Sequence, residues 1–336
     1  MPKLSIIMSV YSEPIEWMRL SVDSILNQSY KDFEFIIIND KPDRKENREL
    51  LDVYKHKDNR IVLINNKVNL GLTKSLNIGL LAAKGEYIAR MDADDISLPD
   101  RLKQQVDFLD THPEVSIVGC SAYKIDEEGN VIDKLIKPTN NLTLKSQLII
   151  VSPFIHPSVV FRRQLNRDIV LYDEYYRFAQ DYALWVKLSD YEFANMDGIY
   201  MKYRITKCQI TSAKRGEQLT YSHSIQKEAL KRLGINLKDE DIDMLFLISD
   251  NQILDYYKAY RFILIFCEDN KNNKKIDVQL LKNYMSSLLR NSIAKGRSPI
   301  KNYIKYIIPL NGFTIKDFIS FTHLIIHSYA HSHLFI

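Results

Sequence analysis

The sequence predicts an α/β fold, a mostly parallel sheet flanked by helices, followed by a helical C-terminal region. Two patterns carry this expectation. Over the first half of the 336-residue chain, short apolar runs alternate with segments of 3.6-residue apolar period, as in β-α-β units whose sheet is covered on both faces. From about residue 216 onward the spacing is helical almost throughout, with one long stretch from Asp241 to Cys267. A chain of this length exceeds what one core usually serves. We therefore expect a catalytic domain over 1–210 and a helical region over 211–336, with a soft boundary near 205–215.

The first strand is Leu4 to Val10, ending in the polar cluster Tyr11-Ser12-Glu13-Pro14. Pro14 suits the first turn of a helix whose apolar positions are Ile15, Met18, Val22, Ile25 and Leu26. A buried run from Glu34 to Ile38 is the second strand and ends in Asn39-Asp40. A charged helix over 44–57 leads to a third strand, Ile61 to Ile64. The next helix, near Thr73 to Ala83, is expected to stop at Gly85 as a glycine just past its end. A fourth strand, Glu86 to Met91, runs into Asp92-Ala93-Asp94-Asp95. Leu98, Leu102, Val106 and Leu109 mark a helix, and Val115 to Gly119 a fifth strand. Glu127 to Asn130 reads as a hairpin tip, and His156 to Phe161 as a strand with a turn before it. Gln180-Asp181 opens a short helix through Tyr182, Leu184, Trp185 and Leu188. In parallel sheets the ligand crevice lies at the carboxyl ends of the strands. The polar clusters after the first, second and fourth strands fall on that edge.

Composition narrows the chemistry. The ten glycines form neither a G-x-G-x-x-G nor a P-loop, so a dinucleotide fingerprint and a Walker NTPase are excluded. The region after the first strand has no glycine, against a sugar nucleotidyltransferase. The net charge of +4 divides unevenly: residues 271–336 hold ten Lys/Arg against two Asp/Glu, which leaves residues 1–270 at −4. Cys120, Cys208 and Cys267 are too dispersed for a zinc or redox pair and fit a reducing compartment. With no signal peptide and no transmembrane stretch legible, a cytoplasmic location is expected.

Asp92, Asp94 and Asp95 crowd three carboxylates into four residues. That arrangement is unfavourable unless a cation or water compensates. Carboxylates at i and i+2 of an extended segment point the same way, so Asp92 and Asp94 can share Mg²⁺ or Mn²⁺. The alternative is a solvated acidic turn.

The order and spacing of SIIMSVYSEP (5–14), SILNQSYKDFEFIIIND (24–40), NLGLTKSLNIGL (69–80), KGEYIARMDADD (84–95), LPDRL (98–102), HPSVVFRR (156–163) and QDYALW (180–185) resemble family 2 glycosyltransferases of the GT-A fold, over roughly residues 3–205. The resemblance implies an inverting, metal-dependent transfer of sugar from a nucleotide-sugar, a UDP-sugar in the first instance. The acceptor would be a hydroxyl of a saccharide or lipid-linked oligosaccharide in surface-polysaccharide synthesis. It places Tyr11 on the nucleotide base with Ser9 lining the site, and Asp40 as a hydrogen-bond acceptor for the base. Asp94 would be a ligand of Mn²⁺ or Mg²⁺, with Asp92 at the metal or ribose and Asp95 supporting the loop. Asp181 would be the catalytic base, with Gln180 and Trp185 contacting substrate beside it. Each has a plainer reading: Tyr11 as a strand cap, Asp40 as a turn or helix cap, Asp181 as a helix cap.

The chain departs from the family at Asn39-Asp40-Lys41-Pro42, where Asp-Asp-Gly-Ser is common. Gln180 stands for a Glu, and Leu76 for an Arg. With that Arg missing, diphosphate neutralisation passes to Lys74, Arg90 or His156. Asp181, near a helix N-terminus, is expected to stay ionised and to be a weak base. A rival from another class is a catalytically silent sugar-nucleotide or membrane-binding subunit. Retention of Asp92, Asp94 and Asp181 together argues against it.

The segment 295–336 interleaves Lys295, Arg297, Lys301 and Lys305 with aromatic and apolar residues. It suits either a helix lying on an anionic membrane surface, on the inner face of the cytoplasmic membrane, or a cap on the catalytic domain or a second subunit of a homodimer. His323, His327 and His331 recur at helical spacing without acidic partners, so a metal site is not assigned to them. No nucleic-acid module is present.

Overall fold

The structure, a computed structural model, describes residues 1–206 and 215–295. Cys208 and nearly all of the proposed tail, 296–336, lie outside the described residues. The described residues divide into two compact units, one of residues 1–144 with 152–225, the other of 145–151 with 226–295.

The first unit is built on a mixed sheet. Strand β1 (Leu4–Val10) is followed by α1 (Ile15–Leu26), β2 (Phe33–Asn39), α2 (Lys45–Lys57), β3 (Ile61–Asn65), α3 (Leu72–Ala82) and β4 (Tyr87–Arg90). All seven residues of β1 and of β2 are buried, as expected for central parallel strands covered on both faces. Then come β5 (Ile96–Ser97), α4 (Arg101–Thr111), the hairpin β6 (Val115–Ile125) and β7 (Val131–Leu135), and α5 (Asn141–Gln147). A 3₁₀ turn at His156–Ser158 leads into β8 (Val160–Arg162). The small pair β9 (Gln164–Leu165) and β10 (Asp168–Ile169) precedes α6 (Gln180–Lys187) and β11 (Glu192–Arg204). The sheet order is β3-β2-β1-β4-β8-β6-β11-β5, with β7 on β6.

This topology positions the site. β1 pairs in parallel with both β2 and β4, with Val10 opposite Asn39 and Ile7 opposite Arg90. The residues that follow these strands therefore emerge along one edge. β8 is antiparallel to both β4 and β6, so β6 and its parallel partner β11 also end there. Helix α1 buries Met18, Val22 and Ile25 of its expected stripe together with Ser21, and packs Ile15 and Leu26 half-buried against the core.

Three expectations change. Gly85 does not cap α3 in a left-handed conformation: the C-cap is Ala83, extended at φ −61°. Gly85 serves close packing, since a Cβ there would lie 2.5 Å from the Ser5 backbone nitrogen. The strand expected from His156 begins only at Val160, because Pro157 sits in the 3₁₀ turn. In the second unit the stretch from Asp241 to Cys267 is not one helix. After α7 (Arg215–Arg232), which begins in the first unit, α8 (Asp239–Ser249) and α9 (Tyr256–Asp269) are separated by a turn in which Asn251 has φ 56°; α10 (Val278–Lys295) follows. Sequence reading missed β11 altogether. Its Asp197-Gly198 interrupts the alternation and produces the register shift between Met196 and Ile199 against β6. Among the described residues, no helix is long and apolar enough to cross a membrane.

Candidate active site

The loop after β4 brings Asp92, Asp94 and Asp95 together, one oxygen of each within 4.8 Å of the others. Ser21 Oγ, on α1, donates to Asp92 O at 2.8 Å. Arg90 donates to Asp92 Oδ1 and to Met91 O. Asp95 is fully enclosed; its Oδ1 accepts the Arg204 N–H at 2.8 Å, and its Oδ2 is buried without a partner. Burial, together with Asp92 and Glu13, pushes the Asp94 carboxyl up to about 7. Burial and the neighbouring Asp94 and Asp92 likewise raise Asp95 well above the carboxylate range. A set of hard oxygen donors that repel one another, with one buried oxygen unserved, fits a divalent cation of the Mg²⁺ or Mn²⁺ kind.

Arg90 and His156, both assigned to the diphosphate, are placed differently. The Arg90 side chain is 2% exposed and turned onto Asp92, so it holds the acidic loop and is not an open cation. His156 donates to or accepts from the Tyr172 hydroxyl through Nε2 at 2.8 Å. Burial and the Arg90 charge keep its imidazole well below its ordinary pKa. A neutral imidazole cannot offset a diphosphate charge. Lys74 is exposed and lies 3.9 Å from Glu174, a surface pair of little energetic weight.

Asp181 sits in the first turn of α6. Its own N–H and that of Tyr182 favour the ionised form, yet burial outweighs them and raises the carboxyl pKa. The expectation of a weak base is therefore corrected: loss of hydration, which disfavours the anion, exceeds the stabilisation from the helix N-terminus. Gln180, beside it, is buried and its Oε1 has no partner. Trp185, expected to contact substrate, has no exposed surface in this fold. It is fully buried, edge-on to Phe154 at 5.3 Å and to His156 at 6.2 Å, because position 185 falls on the inward face of α6.

At the other end of the edge, Tyr11 is 39% exposed, with Lys41 Nζ 4.8 Å from its ring centroid. Ser9 is buried near the end of β1. The buried Asp40 carboxylate organises a loop: Oδ1 accepts from Asn66 Nδ2 at 2.7 Å and Leu70 N–H at 2.8 Å, and Oδ2 from Gly71 N–H at 2.9 Å. Oδ2 takes a single bond and is the atom left for another donor.

Two further residues belong to this site. Glu13 accepts the Tyr11 N–H at 2.7 Å and adds its field to Asp94; its place in the cluster after β1 was the available signal. Arg204 at the end of β11 donates through Nε to Asp94 O at 2.8 Å. Its guanidinium lies 4.6 Å from the Trp17 ring centroid. Nothing local in the sequence marks Arg204.

The glycosyl transferase family 2 model matches residues 5–170. An uncharacterized glycosyltransferase of Methanocaldococcus jannaschii is 34% identical over 226 residues, covering 66% of this chain and 77% of the relative. The O-antigen biosynthesis glycosyltransferase WbnJ of Escherichia coli is 32% identical over 209 residues, covering 60% and 79%. Among solved structures, residues 1–349 of S. aureus TarS in complex with UDP-GlcNAc match with a TM-score of 0.56 at 17% identity, over 98% of this chain and 92% of that one. The mannosyltransferase PcManGT from Pyrobaculum calidifontis, in complex with GDP-Man and Mn²⁺, matches with a TM-score of 0.54 at 16% identity, over 98% and 86%. At these identities the structural likeness is one of fold.

Proposed function

Because the chain belongs to glycosyl transferase family 2 and has the GT-A fold, it is a glycosyltransferase, and we propose that it acts with inversion and a divalent cation on a UDP-sugar. The acceptor in this reading is a hydroxyl of a saccharide or lipid-linked oligosaccharide, in surface-polysaccharide synthesis. The observation that carries it is the Asp92, Asp94, Asp95 cluster on the sheet edge that also presents Tyr11 and Asp40. WbnJ, a relative in O-antigen biosynthesis, and TarS, bound to UDP-GlcNAc, support the pathway and the donor.

In this reading Asp94 and Asp92 hold the cation, and Asp95 with Arg204 fixes their loop. A cation held there would supply positive charge against the leaving diphosphate. Tyr11 stacks on the base, Ser9 lines the site, and Asp40 Oδ2 accepts the base N–H. Asp181 accepts the proton of the attacking hydroxyl. Its raised pKa brings it nearer to the operating pH, where a base works best. Gln180 Oε1, unpartnered beside it, is available to a substrate hydroxyl. In this reading the catalytic part is residues 1–210, the C-terminal region 211–336 follows it, and the reaction runs in the cytoplasm. The stretch 295–336 remains the candidate contact with an anionic membrane surface.

A thermal-shift panel of nucleoside diphosphates with and without Mn²⁺ tests the donor and the metal together. Stabilisation by UDP that requires Mn²⁺ is expected. A flat panel would overturn the substrate assignment, and a response to GDP alone would change the base.

A further inference from the structure

Three tyrosines meet at the surface of the first unit, where the chain leads into α6. Tyr175 and Tyr176 belong to that segment, and Tyr221 comes from α7. Their ring centroids lie 5.1, 5.6 and 5.9 Å apart, and the rings stand nearly perpendicular, at 86°, 76° and 76°. Edge-to-face contacts of this kind are favourable and set the rings against one another. Tyr175 is nevertheless 68% exposed, and Tyr176 and Tyr221 are half-buried.

The backbone beneath the rings is braced. Asn77 of α3 accepts the Tyr172 N–H on Oδ1 and donates Nδ2 to Tyr172 O, both at 3.0 Å. Asp173 Oδ1 accepts the Tyr175 N–H at 2.9 Å, and Asp173 O the Tyr176 N–H at 3.3 Å. Tyr176 O in turn accepts the N–H of Ala179, the residue that caps α6, at 3.4 Å. From α7, Gln218 Nε2 donates to Phe178 O at 3.1 Å. Gln218 lies three residues before Tyr221 and so on the same face of that helix.

Tyr176 and Asp181 therefore ride on one held segment. Five residues separate them, at most ~18 Å of extended chain, and the turn closed by the Ala179 N–H shortens that reach. Between them Gln180 is 6% exposed, and its Oε1 has no partner. A charged group is at ease in water, but an aromatic ring gains nothing there. Ordered rings at the surface, with exposed Asp173, Glu174 and Arg177 alongside them in the chain, have the make-up of a binding patch, apolar area beside polar groups. Asp181, where the attacking hydroxyl arrives, narrows the ligand to a saccharide. A pyranose offers a C–H face to a ring and hydroxyls to the polar groups beside it.

We propose that Tyr175, Tyr176 and Tyr221 form an outer acceptor subsite, on which one sugar ring of the acceptor stacks while another presents its hydroxyl to Asp181. The acceptor is then an oligosaccharide and not a monosaccharide. The proposal rests on the glycosyl-transfer reading above, through the role of Asp181.

The test applies the full chain to a printed array of defined glycans, from monosaccharides to hexasaccharides, and measures the affinities of those bound by ligand-observed NMR. At least one glycan of two or more sugars should bind about tenfold more tightly than its constituent monosaccharides. Tyr175→Ala should cut that advantage below about twofold, and Tyr175→Trp, which keeps a ring, should retain it. Tyr257→Ala, which removes an exposed tyrosine of the second unit, should leave it unchanged. No glycan bound more tightly than its monosaccharides, an advantage that survives Tyr175→Ala, or one lost equally in Tyr257→Ala, overturns the subsite. The donor is read separately by thermal shift: a protein that binds the glycan through Tyr175 but does not respond to UDP with Mn²⁺ would sink the donor assignment and leave the subsite standing.

Discussion

Arg204 donates its backbone N–H to Asp95 Oδ1 at 2.8 Å across 109 residues of chain. The same residue serves Asp94 O through Nε, and the carbonyls of Asp126 and Glu127 through Nη1, at 2.8 to 2.9 Å. One side chain thereby joins the acidic loop to the β6–β7 hairpin. Arg204→Met keeps the backbone bond and removes the guanidinium donors from these three carbonyls, of which Asp126 O retains the Gly129 N–H at 3.2 Å; a hydrogen bond from a charged donor contributes ~1.5–3 kcal/mol. We expect a loss of about 3 kcal/mol in urea unfolding, together with weaker Mn²⁺ binding by calorimetry. A loss below ~0.5 kcal/mol, the usual range for an inert surface change, would mean that the loop holds without the guanidinium.

Asp181→Asn preserves the shape of the α6 N-terminus and removes the proton acceptor. A positioned base contributes ~10²–10⁴-fold to rate, so transfer should fall by about that factor while UDP binding in the presence of Mn²⁺ stays at the wild-type level. Transfer near the wild-type rate would remove Asp181 from the mechanism. Loss of UDP binding would make it a donor contact.

His156 should leave a mark on stability against pH. Its folded pKa lies well below the ordinary value, so from about pH 6.5 downward the unfolded chain binds a proton that the native state refuses. Stability then falls as pH falls, by up to ~1.4 kcal/mol per pH unit for one such group. The raised carboxyls of Asp94 and Asp181 act with the opposite sign and are common to both proteins compared. Unfolding free energies of wild type and His156→Gln between pH 5 and 7.5 should therefore converge toward acid. Parallel curves would show that the imidazole is protonated in the fold.

Gly85→Ala tests the close approach of the α3–β4 connection to β1. The added methyl would meet the Ser5 backbone nitrogen at 2.5 Å, and backbone cannot step aside as a rotamer can. A destabilisation of about 1–3 kcal/mol is expected from such overpacking, read in urea, with Lys84→Ala as the neighbouring control. An unchanged midpoint would place the constraint elsewhere.

Legibility followed the range of the interaction. The run Leu4–Val10 coincides residue for residue with β1, and α6 opens at Gln180 as its apolar spacing indicated, because burial on one face is written in local periodicity. The end of α3 was misread at Gly85, since a close approach to another strand and a left-handed cap both call for glycine. β11 was invisible because Asp197-Gly198 breaks its alternation, and only pairing with β6 holds it together.

By itself the sequence determined the order of β-α-β units, the edge on which the polar clusters emerge, the acidic loop at 92–95 and the likeness to one enzyme family. The tertiary structure decided what each cationic or aromatic group near that loop can do. Arg90 turns inward onto Asp92, His156 is held neutral, Trp185 is sealed in the core, and Arg204 arrives from a distant strand. The physical reason is the same in each case: charge state and reach depend on desolvation and on partners far away in the chain, which no local pattern of residues encodes.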